Sequence, residues 1–122
     1  MWQATAEINS GIAGTALISL KQAGADPNKL KKKALEIAAN EKAGPLDRIT
    51  ALQTCGQFKY KGVIPVAKQI LATSKHAPLK MSALASIGLA GNKSDITFLK
   101  KYENSSDNRL KTAAKATIKR LQ

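Results

Sequence analysis

Cys55 and His76 are the two side chains whose chemistry would suit a catalytic pair, because an imidazole can activate a neighbouring thiol as a nucleophile. The chain of 122 residues contains one cysteine and one histidine. Cys55 falls where a helical pattern of aliphatic side chains continues, and His76 lies in a predicted loop at about residues 74–77. We therefore predict that Cys55 is a small core side chain, that His76 is an exposed loop residue, and that the chain has no catalytic residues.

Metal and nucleotide chemistry require arrangements that this sequence does not contain. Zinc and calcium sites need clustered ligands, whereas the eight carboxylates are dispersed along the chain. Asp26, Asp95 and Asp107 lie at predicted helix starts, where the helix dipole favours acidic side chains. Gly11 and Gly14 lie inside a predicted helix and follow no strand, unlike the glycines of a phosphate-binding loop. We expect neither a metal nor a cofactor.

The strongest functional indication in the composition is positive charge. Twenty Lys and Arg against eight Asp and Glu give a net charge of +12, and lysine supplies most of the cations. Such a charge attracts acidic proteins, nucleic acids or anionic lipid surfaces. Nucleic-acid-binding surfaces usually combine cations with aromatic side chains, which make up 4% of this chain. We therefore predict an acidic protein partner, with nucleic acid as the alternative. Lysine also serves simply to solvate a helical surface.

Membrane insertion is not expected. The longest apolar run, residues 11–20, is shorter than the roughly 20 residues that span a bilayer. No Lys or Arg precedes it, although a signal peptide needs a positive region at that point. No predicted helix combines a basic face with the aromatic and leucine face of an interfacial helix. A cytoplasmic location is the resulting expectation, and the oligomeric state is left open.

Apolar residues recur three and four positions apart between breakers, which is the pattern of amphipathic helices. The sequence predicts an all-α chain with seven helices at about residues 4–22, 27–40, 45–57, 63–73, 78–90, 95–103 and 108–122. We predict N-caps at Asp26, with Pro27 at the first helical position, and at Ser94. Gly56 and Gly88 follow aliphatic or thiol positions and are predicted to be left-handed C-caps.

A repeat with a period of 31–35 residues is the clearest pattern in the chain. It consists of a basic residue, an alanine three positions later and an aliphatic or thiol side chain four positions after that. Its three copies are Arg48, Ala51 and Cys55; Lys80, Ala83 and Ile87; and Lys111, Ala114 and Ile118. The small alanines indicate that two helices approach closely at these positions. A period of this length, built from two short helices, is typical of an α-solenoid.

In this pattern the chain resembles the short HEAT-like repeats of the bilin-lyase type, most clearly over residues 45–122. The resemblance implies a right-handed α-α superhelix of about three and a half helix pairs. The implied repeats are residues 4–44, 45–76 and 77–107, with a half repeat at 108–122. Such repeats occur in lyases, scaffolds and nucleic-acid enzymes alike, so the resemblance indicates architecture and not chemistry. No helix follows the last one, so we expect an exposed outer face or a polypeptide that continues beyond Gln122.

The predicted function is a non-catalytic interaction or scaffold module, and two sets of lysines are its candidate sites. The resemblance implies that the second helix of each pair lines the concave surface, where an acidic partner would meet Lys68, Lys100 and Lys101, with Lys32 and Lys33 extending the row. The competing set is a stripe along the last helix, formed by Lys111, Lys115 and Lys119. It would suit nucleic acid, in the manner of HEAT-like DNA glycosylases, whose aromatic and acidic residues have no counterpart here. A scaffold domain within a larger enzyme is the third alternative.

Overall fold

The computed structural model describes residues 12–122, with side chains from residue 14 onward. Over this range the chain is all-α, with seven α-helices and no strand. Their bounds are α1 Ile12–Gln22, α2 Pro27–Ala39, α3 Pro45–Gln57, α4 Val63–Thr73, α5 Ala77–Ala90, α6 Ile96–Leu99 and α7 Asn108–Leu121. The 3-10 turns Lys93–Asp95 and Lys100–Tyr102 flank α6. The predicted beginning of the first helix, at residues 4–11, lies outside the described residues.

Local cap chemistry explains why α2 and α7 begin where the sequence predicts. The Asp26 carboxylate accepts a hydrogen bond of 3.0 Å from the N–H of Asn28, and Pro27 occupies the first helical position of α2. Asp107 caps α7 in the same way, accepting from the N–H of Arg109 at 2.9 Å. Both residues satisfy N–H groups that the first helical turn leaves without a partner. The Asp26 cap and the acidic start of α7 are therefore confirmed.

The segment around α6 differs from the prediction of one helix at residues 95–103. Ser94 is not the cap: the Asn92 side chain accepts from the N–H of Ser94 at 2.9 Å, so Asn92 holds that role. Asp95 completes a capping box, because its Oδ2 accepts from the N–H of Asn92 at 2.9 Å. The reciprocal bonds favour a tight 3-10 turn, and the regular helix that follows spans only Ile96–Leu99.

The predicted left-handed C-caps at Gly56 and Gly88 are wrong, because both glycines lie inside their helices. Among the described residues, positive φ angles occur instead at Gly24 (+77°) and Lys59 (+52°). Each follows a helix end and belongs to a Schellman arrangement: the N–H of Tyr60, for example, bonds to the carbonyl of Cys55 at 2.9 Å. The left-handed position after α3 is therefore filled by a lysine, for which that conformation is strained.

The helices pack as two interlocking series. The odd-numbered helices contact one another in order, α1 with α3, α3 with α5 and α5 with α7. Each even-numbered helix packs against the helix that follows it, α2 on α3, α4 on α5 and α6 on α7. Contacts among the even-numbered helices are much fewer. An aliphatic core lies between the two series, and the repeat alanines Ala51, Ala83 and Ala114 are completely buried within it.

Three buried hydroxyls recur with the same period as the alanines. Thr54, Ser86 and Thr117 are each at most 7% exposed, and each donates its hydroxyl to the carbonyl four residues earlier in its own helix. The Ser86 hydroxyl also lies 3.0 Å from the carbonyl of Leu52 in the neighbouring helix. Because each hydroxyl finds a partner within its own helix, a polar side chain can occupy a closely packed helix contact at little cost.

Candidate interaction surface

Cys55 and His76 occupy structural positions. The Cys55 side chain is completely buried, as predicted, and burial raises the pKa of its thiol to about 12. A thiol with that pKa forms almost no thiolate near neutral pH and is a poor nucleophile. His76 is exposed, and its Nδ1 accepts a hydrogen bond of 3.2 Å from the N–H of Leu79, which makes it the N-cap of α5. The sequence predicted its exposure but not this cap.

Lys68, the first member of the predicted lysine row, is engaged within the chain. Its Nζ lies 2.8 Å from Oδ1 of Asp95, and the carboxylate side chain is only 9% exposed. Burial by itself would raise the pKa of Asp95, but the Lys68 hydrogen bond, the Asn92 N–H and the charges of Lys68 and Lys61 hold that pKa below its ordinary value. The ion pair therefore ties the start of α6 to α4.

The rest of that row divides into paired and exposed lysines. Lys33 forms an ion pair of 3.1 Å with Glu36 on the surface of α2. Lys32 and Lys100 are exposed. Lys101 is exposed as well, and its Nζ lies 4.1 Å from the centre of the Phe98 ring. The row is thus a mixture of cations with and without a partner among the residues that the structure describes.

Lysine–aromatic contacts are a feature that no pattern in the sequence predicts. Lys101 lies over Phe98 and also 5.6 Å from the centre of the Tyr102 ring. A second group surrounds the turn after α3, where Lys31 lies 5.6 Å from the ring centre of Phe58 and 6.0 Å from that of Tyr60. These rings pack against the core and are partly buried. Their exposed faces therefore lie beside the chain's own ammonium groups.

Helix α7 is rich in cationic side chains that form few ion pairs with the described carboxylates. We define its basic face as Arg109, Lys111, Lys115, Lys119 and Arg120. The helix contains no Asp or Glu. Among the described residues, the ion pair closest to this face joins Arg109 Nε to Asp107 over 3.7 Å, with both side chains well exposed. The opposite side of α7 is buried against α5 and the α6 segment. The basic face therefore presents almost uncompensated positive charge to solvent.

The five cations occupy two flanks of the helix. At 3.6 residues per turn, Arg109 and Arg120 lie on the same side, about three turns apart, together with Ala116. The lysines at 111, 115 and 119 follow one another at four-residue spacing on the other exposed flank. Two of the chain's three arginines are therefore on α7, and arginine is the cation best suited to bind carboxylates through two parallel hydrogen bonds.

An apolar groove of about 310 Å³ runs between α5 and α7, beside the arginine flank. Its walls are Met81, Leu84, Ala85, Gly88, Leu89, Ala113, Ala116, Thr117 and Arg120. A second groove, of about 430 Å³, separates α1 from α3 and is lined mainly by threonine and glutamine side chains, with Ile18 and Lys21. Of these two grooves, the first combines an aliphatic lining with an arginine.

Comparisons with protein-family models, with curated proteins and with solved structures give no match for this chain. In residues 12–122 no helix has the length and apolar character needed to cross a membrane. The same part of the chain contains no group of three His, Cys, Asp or Glu side chains placed to hold a metal ion.

Proposed function

We propose that this chain is a non-catalytic interaction module that binds an acidic protein segment through the basic face of α7. The observation that supports this is the concentration of five cations on a helix with no carboxylate. Uncompensated cations on one surface raise the local concentration of anionic partners and accelerate their association.

The partner is proposed to bind α7 and not the predicted lysine row that begins with Lys68. Lys68 and Lys33 already have carboxylates within 2.8 and 3.1 Å. Recruiting Lys68 to a partner would leave Asp95, which is largely buried, without its counter-charge, and that is costly. The exposed lysines Lys115 and Lys119 carry no such penalty, because no carboxylate within the described residues is paired with them.

The apolar groove next to the cations favours a protein partner over nucleic acid. The groove beside Arg120 has aliphatic walls, and such walls fit the apolar side chains of a protein better than phosphates or sugars. Proteins that bind single strands stack bases on exposed aromatic rings. Here Phe98 and Phe58 are partly buried and have lysines over their rings.

We also propose that the helices form the right-handed solenoid of HEAT-like helix pairs that the sequence resembles. The buried alanines and the buried hydroxyls recur at the repeat period, and the odd-numbered helices contact each other in order. In a curved double layer the inner helices are packed more closely than the outer ones. The odd-numbered helices therefore belong on the concave side, which would reverse the expectation that the second helix of each pair lines it.

The test is binding of fluorescein-labelled polyglutamate and of a labelled 30-base-pair DNA duplex, measured by fluorescence anisotropy at about 0.15 M salt, where the Debye length is about 8 Å. The variant Lys115→Gln/Lys119→Gln is compared with Lys32→Gln/Lys100→Gln, which removes the same charge from exposed positions elsewhere. We expect polyglutamate to bind about fivefold more weakly to the first variant and almost unchanged to the second.

Two results would overturn the proposal. Equal weakening by both variants would show that polyglutamate responds to net charge and not to the basic face of α7. A DNA duplex that binds tightly at this salt concentration while polyglutamate does not would favour the nucleic-acid alternative, because duplex binding is governed by phosphate contacts and released counterions.

A further inference from the structure

We infer that the groove between α5 and α7 binds aliphatic side chains of the acidic segment, so that the partner is recognised by apolar contacts as well as by charge. This inference rests on the proposed function and adds a second requirement to the ligand. A segment rich in glutamate alone would meet the basic face, whereas a segment with aliphatic side chains between its carboxylates would also fill the groove.

The shape of the groove results from small residues on both helices. Ala85 and Gly88 on α5 face Ala113 and Ala116 on α7. A Cβ atom placed on Gly88 would lie 3.5 Å from the Arg120 side chain, so the arginine stem forms one end of the groove next to this glycine. The space of about 310 Å³ beside these small residues is open to solvent. Grooves of this size are at the lower end of those that hold ligands.

Charge complementarity determines which occupant fits. Arg120 contributes to the lining, and Arg109 is exposed on the same flank of α7. No Asp or Glu contributes to the lining of the groove. An aliphatic side chain in this groove would therefore be flanked by cations, which favours a ligand with carboxylates near its apolar residue and disfavours a basic one.

The groove between α1 and α3 provides an internal comparison. It is larger, at about 430 Å³, but its lining includes Gln22, Gln53 and Gln57. Lys21, its cation, donates a hydrogen bond to Gln57 Oε1 and lies 5.7 Å from the ring centre of Phe58. An aliphatic ligand there would desolvate amide groups without replacing their hydrogen bonds. The structure therefore assigns the apolar contact to the groove between α5 and α7.

The experiment uses two labelled peptides of equal length and charge, one of glutamate and leucine and one of glutamate and glutamine. Each is titrated with the full chain and with the variant Ala116→Gln, which places a neutral polar side chain in the groove. Ala116 is exposed and glutamine is a good helix former, so the fold is retained. Ala72→Gln, at an exposed position of α4, is the matched control, and circular dichroism verifies the helix content of both variants.

We expect Ala116→Gln to weaken the glutamate–leucine peptide about tenfold, the contribution of roughly one buried leucine side chain. Binding of the glutamate–glutamine peptide should be unchanged, and Ala72→Gln should alter neither. If Ala116→Gln leaves the leucine peptide unaffected, the groove is not its site, while the proposed function stands as long as Lys115→Gln/Lys119→Gln still weakens both peptides. If neither peptide binds the unmodified chain at about 0.15 M salt, the inference and the proposed function both fail.

Discussion

The ion pair between Lys68 and Asp95 leads to a prediction that separates a structural lysine from a partner-binding one. Replacing Lys68 with methionine retains most of the aliphatic stem and removes the charge. Asp95 would keep its hydrogen bond from the N–H of Asn92 but would lose the ammonium group at 2.8 Å. The result should be a loss of stability, and not merely a loss of affinity for an anionic ligand.

The exposure of the two side chains determines how much stability the substitution should remove. Lys68 is 31% exposed and Asp95 is 9% exposed. Fully exposed pairs contribute about 0–1 kcal/mol, whereas removing one partner of a buried pair costs about 3–5 kcal/mol. Lys68→Met is therefore expected to lower the free energy of unfolding by an intermediate amount, about 2 kcal/mol. The control Lys100→Met, at an exposed position, should change the free energy of unfolding by no more than about 0.5 kcal/mol.

Urea denaturation of Lys68→Met, of Asp95→Asn and of the double variant completes a double-mutant cycle. We expect a coupling energy of about 1 kcal/mol or more at neutral pH. The folded-state pKa of Asp95 lies below its ordinary value of 3.8. The stabilisation is therefore fully present above that ordinary value and is lost as the pH falls through the lower folded-state pKa. A coupling energy within about 0.3 kcal/mol of zero at neutral pH would refute the argument.

Four further predictions concern backbone strain, steric contact and thiol chemistry. Lys59→Gly should stabilise the chain by about 0.5–1 kcal/mol, because glycine adopts the observed φ of +52° without strain, and Gly24→Ala at φ +77° should destabilise it by a similar amount; thermal unfolding measures both. Gly91→Ala should cost about 1–3 kcal/mol in urea denaturation, because the new Cβ would lie 2.5 Å from the carbonyl oxygen of Ile87. Cys55, with a pKa of about 12, should react with a thiol reagent at neutral pH only after denaturant is added, and immediate reaction of the native chain would contradict its burial.

The sequence predicts those elements that local chemistry determines. Asp26 and Pro27 mark the start of α2, and Asp107 marks the start of α7. The observed bounds of α3 and α4 coincide with the predicted ones. Elsewhere the residues in contact are distant in sequence. Gly56 looked like a helix terminator, yet it lies inside α3, where a Cβ would come within 3.0 Å of the Leu89 side chain. Its role is set by a neighbouring helix, and no local pattern contains that information.

The candidate site, too, can be predicted from the sequence only in part. The charge and spacing of Lys115 and Lys119 are visible in the sequence, and so is the absence of carboxylates from α7. The ion pair between Lys68 and Asp95 is not visible in the sequence, because it depends on how α4 packs beside the α6 segment. The groove between α5 and α7 also requires the packed structure, since alanines at these positions indicate only close approach of two helices and not an opening between them.

The most direct test of the central claim is a titration of isotope-labelled protein with unlabelled polyglutamate at about 0.15 M salt, followed by amide chemical shifts in two-dimensional NMR spectra. If the basic face of α7 is the binding site, the largest and saturable shifts will lie in residues 108–122 and in the facing part of α5. Shifts centred on Lys32 and Lys100, or small shifts spread evenly over all lysine-bearing helices, would contradict it.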